Sequence, residues 1–178
     1  MSLECGHLSA DRQTGGFITG SKDGILSQPG GMILQSVANG SPIMHVEINY
    51  RLNGQMPRWS PSVSCAADRF AVFGFAQTDA LISETSANAG IRDQRLALDW
   101  IQQNIAAFGG DSSKVTIHGQ SSGGLSMGMQ VLAYGGTKPV PFQQIICQSQ
   151  ALENAITGNV TRHSMYRVFL NTNCTGYE

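Results

Sequence analysis

Five consecutive residues, Gly119-Gln120-Ser121-Ser122-Gly123, constrain the fold of this chain more than any other feature, because of what flanks them. Upstream, Lys114-Val115-Thr116-Ile117-His118 is short and β-branched and reads as a strand that runs straight into the first glycine. Downstream, a helix is expected from Ser122 to about Ala133, with Leu125, Met127, Met129, Val131 and Leu132 available to pack. A G-x-S-x-G segment between a strand and a helix is a sharp turn with a strained serine at its apex. Glycines are needed beside it where any side chain would collide with the neighbouring elements. Such a turn holds the Ser121 hydroxyl at a helix N-terminus, where backbone N–H groups can stabilise a developing oxyanion. The same five residues alone could be an ordinary Gly/Ser-rich helix cap; the strand–turn–helix setting is what favours a nucleophile.

The rest of the chain supplies the partners such a turn requires. Ile43, Val46 and Ile48 within Pro42–Tyr50 suggest a strand. A helix is expected after Asn88-Ala89-Gly90, running to about Phe108, with Leu98, Ile101, Ile105 and Phe108 as one apolar stripe and Gly109-Gly110 as its stop. Gln144 to Gln148 reads as a further buried strand, and Arg162 to Leu170 as a weak helix. Alternating strands and helices predict an α/β fold, a mostly parallel sheet with flanking helices, incomplete at both ends of the chain. Residues 54–71 (GQMPRWSPSVSCAADRFA) do not fit, with two prolines, scattered serines and neither period, in a connection long for an α/β unit.

Composition excludes several function classes. Charged residues are 13% of the chain, the formal charge is −1 and no Lys/Arg block occurs, which argues against a phosphate backbone or anionic membrane as partner. No apolar run approaches the ~20 residues that span a bilayer. Cys5, Cys65, Cys147 and Cys174 lack metal-ligand spacing; Cys147 reads as a buried free thiol, and Cys174 as a cysteine whose disulfide partner would lie past Glu178. Asn39, Asn159 and Asn173 open N-x-S/T sequons, which matter only in the secretory pathway. The first residues, as written, have neither the basic nor the apolar region of a signal peptide.

Gly15-Gly16-Phe17 can be a flexible turn or, together with the serine turn, a loop whose N–H groups complete an oxyanion hole. Phe108-Gly109-Gly110, four residues, then Val115 to Gly123 resembles the serine signature of the type B carboxylesterases, the family of cholinesterases and fungal-type lipases. Ser86 to Trp100, Asn49-Tyr50-Arg51-Leu52 and Gly15 to Ser21 resemble other motifs of that family in the family's order. The resemblance covers Gly15 to about Ala151 except Gly54–Ala71, and with that segment removed the flanks join into a pattern close to the family's. Gly54–Ala71 is therefore expected to be a non-family insertion, a retained intron. The resemblance implies an α/β-hydrolase single domain, Ser121 as nucleophile, and Gly15, Gly16 and the N–H of Ser122 as oxyanion donors. Asn88 and Asp93 match positions that look structural. A small-molecule or lipid ester is the implied substrate, with no metal or organic cofactor and a secreted whole protein; nothing in the residues speaks to oligomeric state.

The departures are equally informative. Gln13-Thr14 stands where the family has His or an aromatic and a third glycine, and Gln120 where it commonly has Glu, which argues against a cationic substrate. The family's N-terminal sheet strands and the acidic segment before the glycine loop have no evident counterpart. Triads on this fold run Ser, then Asp/Glu, then His. Of 178 residues only 57 follow position 121, and Glu153 and His163, though in the right order, are too close to it; the acid and base are expected further along a longer chain. His7, His45 and His118 read as surface or sheet histidines. Besides an active ester hydrolase, two readings stay open: a binding protein of the same fold that has lost catalysis, and a non-functional truncated product.

Overall fold

A computed structural model describes residues 3–4, 8–11, 22, 28–52, 74–75 and 79–149. The weak helix at Arg162–Leu170 and the segment Gly54–Ala71 lie outside the described residues. Four parallel strands form the main sheet: β2 (Leu8–Asp11), β3 (Val46–Glu47), β5 (Thr116–Gln120) and β6 (Gln144–Gln148). Their order is β3-β2-β5-β6. A separate parallel pair joins β1 (Leu3–Glu4) to β4 (Gly110–Asp111). The helices are α1 (Gly30–Ala38), α2 (Asp79–Ser83), α3 (Ala89–Asn104) and α4 (Ser122–Leu132).

The α/β expectation holds, with three differences that share one cause: partners distant in sequence decide them. Strands β1 and β2 precede every strand the patterning located. Leu8–Asp11 is too short to show a period, yet β2 sits between β3 and β5, with Leu8 beside both Val46 and Ile117. The strand predicted across Pro42–Tyr50 is reduced to an isolated bridge at Ile43 and the pair Val46–Glu47. β6 has the predicted bounds but is not buried. Ile145 and Ile146 are 39% and 41% exposed, because β6 is the edge of the described sheet.

The core lies where α3, β5 and α4 meet. Leu98, Ile101 and Ile105 present their stripe to Val115, Ile117 and Met127, with Phe142 closing the group. Phe108 leaves that stripe. The backbone tightens into a 3-10 turn over Ile105–Phe108, which rotates Phe108 out to 61% exposure, beside Trp100 at 5.9 Å between ring centroids. Gly109, at φ 89°, stops the turn in the left-handed conformation that favours glycine. Along α4, Leu125 and Met127 are buried as expected, whereas Val131 and Leu132 face outward.

Candidate functional site

Strand β5 ends at Gln120 and α4 begins at Ser122, so one residue makes the whole reversal. That residue, Ser121, has φ 56° and ψ −120°, far from the ordinary helical and strand regions. A conformation of this kind costs a non-glycine residue about 1–3 kcal/mol and persists only when its surroundings enforce it. Two hydrogen bonds do so. The Ser121 N–H donates to the carbonyl of Gln148 on β6 at 2.8 Å, and its own carbonyl accepts from the N–H of Leu125 at 3.0 Å. One bond ties the turn to the sheet and the other starts the helix.

The glycine requirement inferred from the motif has a direct geometric counterpart. A Cβ on Gly119 would lie 2.3 Å from both the carbonyl carbon and oxygen of Gly123, so strand and helix can pass this closely only without a side chain there. The Ser121 N–H is already engaged with Gln148. Any oxyanion donors at the turn must therefore come from the next N–H groups, beginning with Ser122, which stands buried at the first position of α4. Gln120 is half-buried and pairs in register with Gln148. His118 lies within β5, opposite Ile146, as a sheet histidine, and His45 immediately precedes β3.

The other predicted residues are distributed unevenly. Gly15, Gly16, Glu153, His163 and His7 lie outside the described residues. β2 ends at Asp11 beside Gly119, at the same carboxyl end of the sheet that carries Ser121. This is also where the order switches, since the chain goes from β2 out to β3 and returns to the other side of β2 as β5. Ligand sites on open parallel sheets form at such points. Among the described residues, no group of three or more His, Cys, Asp or Glu could hold a metal ion, and no helix is long and apolar enough to cross a membrane. Cys147 is a half-buried free thiol whose pKa is raised by burial.

Two sets of polar contacts hold α3, the helix that packs against α4. Asp93 on α3 takes a forked pair of hydrogen bonds from the Arg51 guanidinium, 2.7 and 2.6 Å, and a third from the Arg51 backbone N–H at 3.0 Å. These bonds hold the Asp93 carboxyl below its ordinary pKa and the guanidinium above its own. Asn88, in the left-handed conformation at φ 60°, turns the chain into α3. Both residues are structural, as their motif positions implied. The second set was not foreseen. Gln94, Ser126 and Gln130 form a buried polar seam between α3 and α4. Gln94 Nε2 donates to Ser126 Oγ at 3.3 Å, and Gln130 Nε2 donates to Gln94 Oε1 at 3.4 Å and the Ile91 carbonyl at 2.8 Å. Arg95, also buried, donates to the Pro139 carbonyl at 2.7 Å and lies over the Tyr134 ring. A sequence signal existed, since Gln94 stands four residues before the apolar stripe position Leu98 and so on the same face. Polar character hid it.

Comparison with known proteins gives this geometry a context. A model of the carboxylesterase family matches residues 68–178. A secreted lipase of Arthroderma benhamiae is 53% identical over 161 residues, 90% of this chain and 25% of that protein. An inactive carboxylesterase-like protein of Byssochlamys spectabilis is 34% identical over 162 residues, 90% of this chain and 24% of that protein. Among solved structures, a thermophilic pNB esterase superposes with a TM-score of 0.68 at 23% identity, covering 95% of this chain and 29% of that one. The chain thus spans about a quarter of the length of the curated relatives it matches.

Proposed function

The chain belongs to the carboxylesterase family, and from that premise we propose that it carries the nucleophile of a serine carboxylic-ester hydrolase, with Ser121 in that role. The observation that carries the proposal is the backbone of Ser121, a non-glycine residue held at φ 56° and ψ −120° at the head of α4. Packing alone would favour glycine there, so a hydroxyl kept at the expense of strain argues for chemistry. Ser121 Oγ attacks the ester carbonyl while a histidine takes its proton. The oxyanion rests on the N–H of Ser122 and on those of Gly15 and Gly16. Its collapse breaks the ester C–O bond and expels the alcohol, which takes the proton from the histidine. Water, giving its proton to the same histidine, then releases the acid and restores the Ser121 hydroxyl. The end of β2 beside Gly119 supports the place given to Gly15 and Gly16. Each such donor is worth roughly 10²–10³ in rate.

A second reading, a non-catalytic binding protein of the same fold, is favoured by the relative that is named inactive. One experiment separates the two. The purified chain and its Ser121→Ala variant are assayed with a short p-nitrophenyl ester and labelled with an active-site-directed phosphonate. Serine-dependent turnover or labelling supports the hydrolase and places a competent base within the chain, with His163 the first to replace. A folded chain that neither turns over nor labels makes Ser121 an inherited half-site in these residues, and the same assay on a longer chain that carries the acid and base then decides between the two readings.

The whole protein is proposed to be secreted, as the relative from Arthroderma benhamiae is named. Asn39 offers a check. It is exposed at the C-cap of α1, where Gly40 and Ser41 return N–H bonds to the carbonyls of Val37 and Ser36, both at 3.0 Å. Its Oδ1 accepts from Gln35 Nε2 at 2.9 Å, which leaves Nδ2 available for a glycan without loss of that bond. Expression behind a yeast secretion leader should give a glycopeptide at Asn39 that Asn39→Gln removes. An unmodified Asn39 would withdraw this support.

A further inference from the structure

On either side of residues 53–73 the chain is built into one piece of structure. Before them, Tyr50 is buried with Leu125, and Leu52 packs against that pair. Arg51 is held by Asp93. After them, Phe75 joins the same cluster, and the carbonyl of Gly74 accepts from the Gly90 N–H at 2.7 Å. The two flanks also touch each other. Gly74 donates its N–H to the Leu52 carbonyl at 3.3 Å, and a Cβ on Gly74 would fall 2.0 Å from the Arg51 carbonyl oxygen. A Cβ on Gly90 would fall 2.6 Å from the same oxygen and 2.8 Å from the Phe75 ring. Three stretches of chain therefore meet at a point with no room for side chains.

The length of chain between the flanks is what does not match. If Gly54–Ala71 is removed, Leu52, Asn53, Val72, Phe73 and Gly74 become consecutive. The observed bond from the Gly74 N–H to the Leu52 carbonyl then joins residues four apart, which is the bond that defines a single α-turn. An 18-residue deletion that turns a long-range bond into a standard local one is not expected of a segment the fold was built around. The segment's own sequence has neither helix nor strand period.

We infer that Gly54–Ala71 is an in-frame insertion into a closed α-turn between Leu52 and Gly74, derived from 18 codons that the mature transcript lacks. The inference stands whether or not Ser121 reacts, because it concerns the junction of β3, α3 and the core rather than the serine turn.

Two measurements test it. First, the Δ54–71 protein is compared with the full chain by circular dichroism and thermal unfolding. A turn of three intervening residues closes with less entropy loss than one of 21, so the deletion should keep the secondary structure and raise Tm by about 5 °C. A lower Tm or a loss of helix signal would overturn the inference. A second variant, with the segment replaced by an equally long Gly/Ser sequence, guards against an effect of length alone. Its Tm should stay within about 1 °C of the full chain, and a drop of several degrees would show that the replaced side chains support the fold. Second, cDNA amplified across codons 45–80 should yield a product 18 codons shorter than genomic DNA. Full-length product alone would reject the transcript origin.

Discussion

At position 121 the hydroxyl and the backbone strain can be separated. Ser121→Ala removes the nucleophile but leaves an L-residue at φ 56° and ψ −120°, whereas Ser121→Gly removes both. In urea unfolding we expect Ser121→Gly to be more stable than Ser121→Ala by about 1 kcal/mol, with labelling abolished in both. Equal stabilities would mean that the turn is unstrained and that the argument from strain to function fails. Asp93 gives a second prediction, through pH. Its folded-state pKa is depressed below 3.8, first by the side-chain bonds from Arg51. The pair's contribution is therefore complete above that value and is lost as pH falls from it through the lower folded-state pKa. The partners are 57% and 24% exposed, so solvent screens the pair, and Asp93→Asn should cost about 1 kcal/mol at neutral pH. The gap between the two proteins should close only below pH 3.8; a gap unchanged by acid would remove Arg51–Asp93 from the account.

Between elements, the seam of Gln94, Ser126 and Gln130 sets α3 against α4, the helix that carries the serine turn at its head. Apolar packing alone tolerates sliding, while matched donors and acceptors in a buried interface do not. Gln94→Leu keeps the volume roughly constant but takes from Ser126 Oγ its Gln94 donor and leaves Gln130 Nε2 only the Ile91 carbonyl, at a cost of about 2 kcal/mol. In a double-mutant cycle with Ser126→Ala, the coupling should be 0.5 kcal/mol or more, and strictly additive effects would show that the seam is not one unit. Elements of this kind were partly legible. The start of α3 and the bounds of α4 and β6 follow from apolar spacing, glycines and β-branched runs, all local properties. The seam was not, because polar residues on a helix read as solvent-facing until the partner helix is known.

For the molecule as a whole, β6 is the exposed consequence. Parallel strands are normally covered on both faces, yet Ile145 and Ile146, which point to opposite faces, are both about two-fifths exposed, and β6 has no further neighbour among the described strands. An apolar edge of this kind pairs with other chains. The isolated chain should associate with rising concentration in sedimentation velocity, and Ile146→Lys should shift it toward monomer. A full chain that is monomeric at every concentration would show that the edge is protected.

The sequence by itself determined the serine turn, the glycine it needs at 119, the helices on either side and the α/β class, because each depends on residues within a few positions of one another. Tertiary structure alone decided that Leu8–Asp11 is a central strand, that Phe108 leaves the stripe, that Gln94 and Gln130 are buried, and that Leu52 lies against Gly74. A four-residue strand has no stability without neighbours, a polar side chain is buried only where its partner waits, and two ends of a long segment meet only when the core holds both.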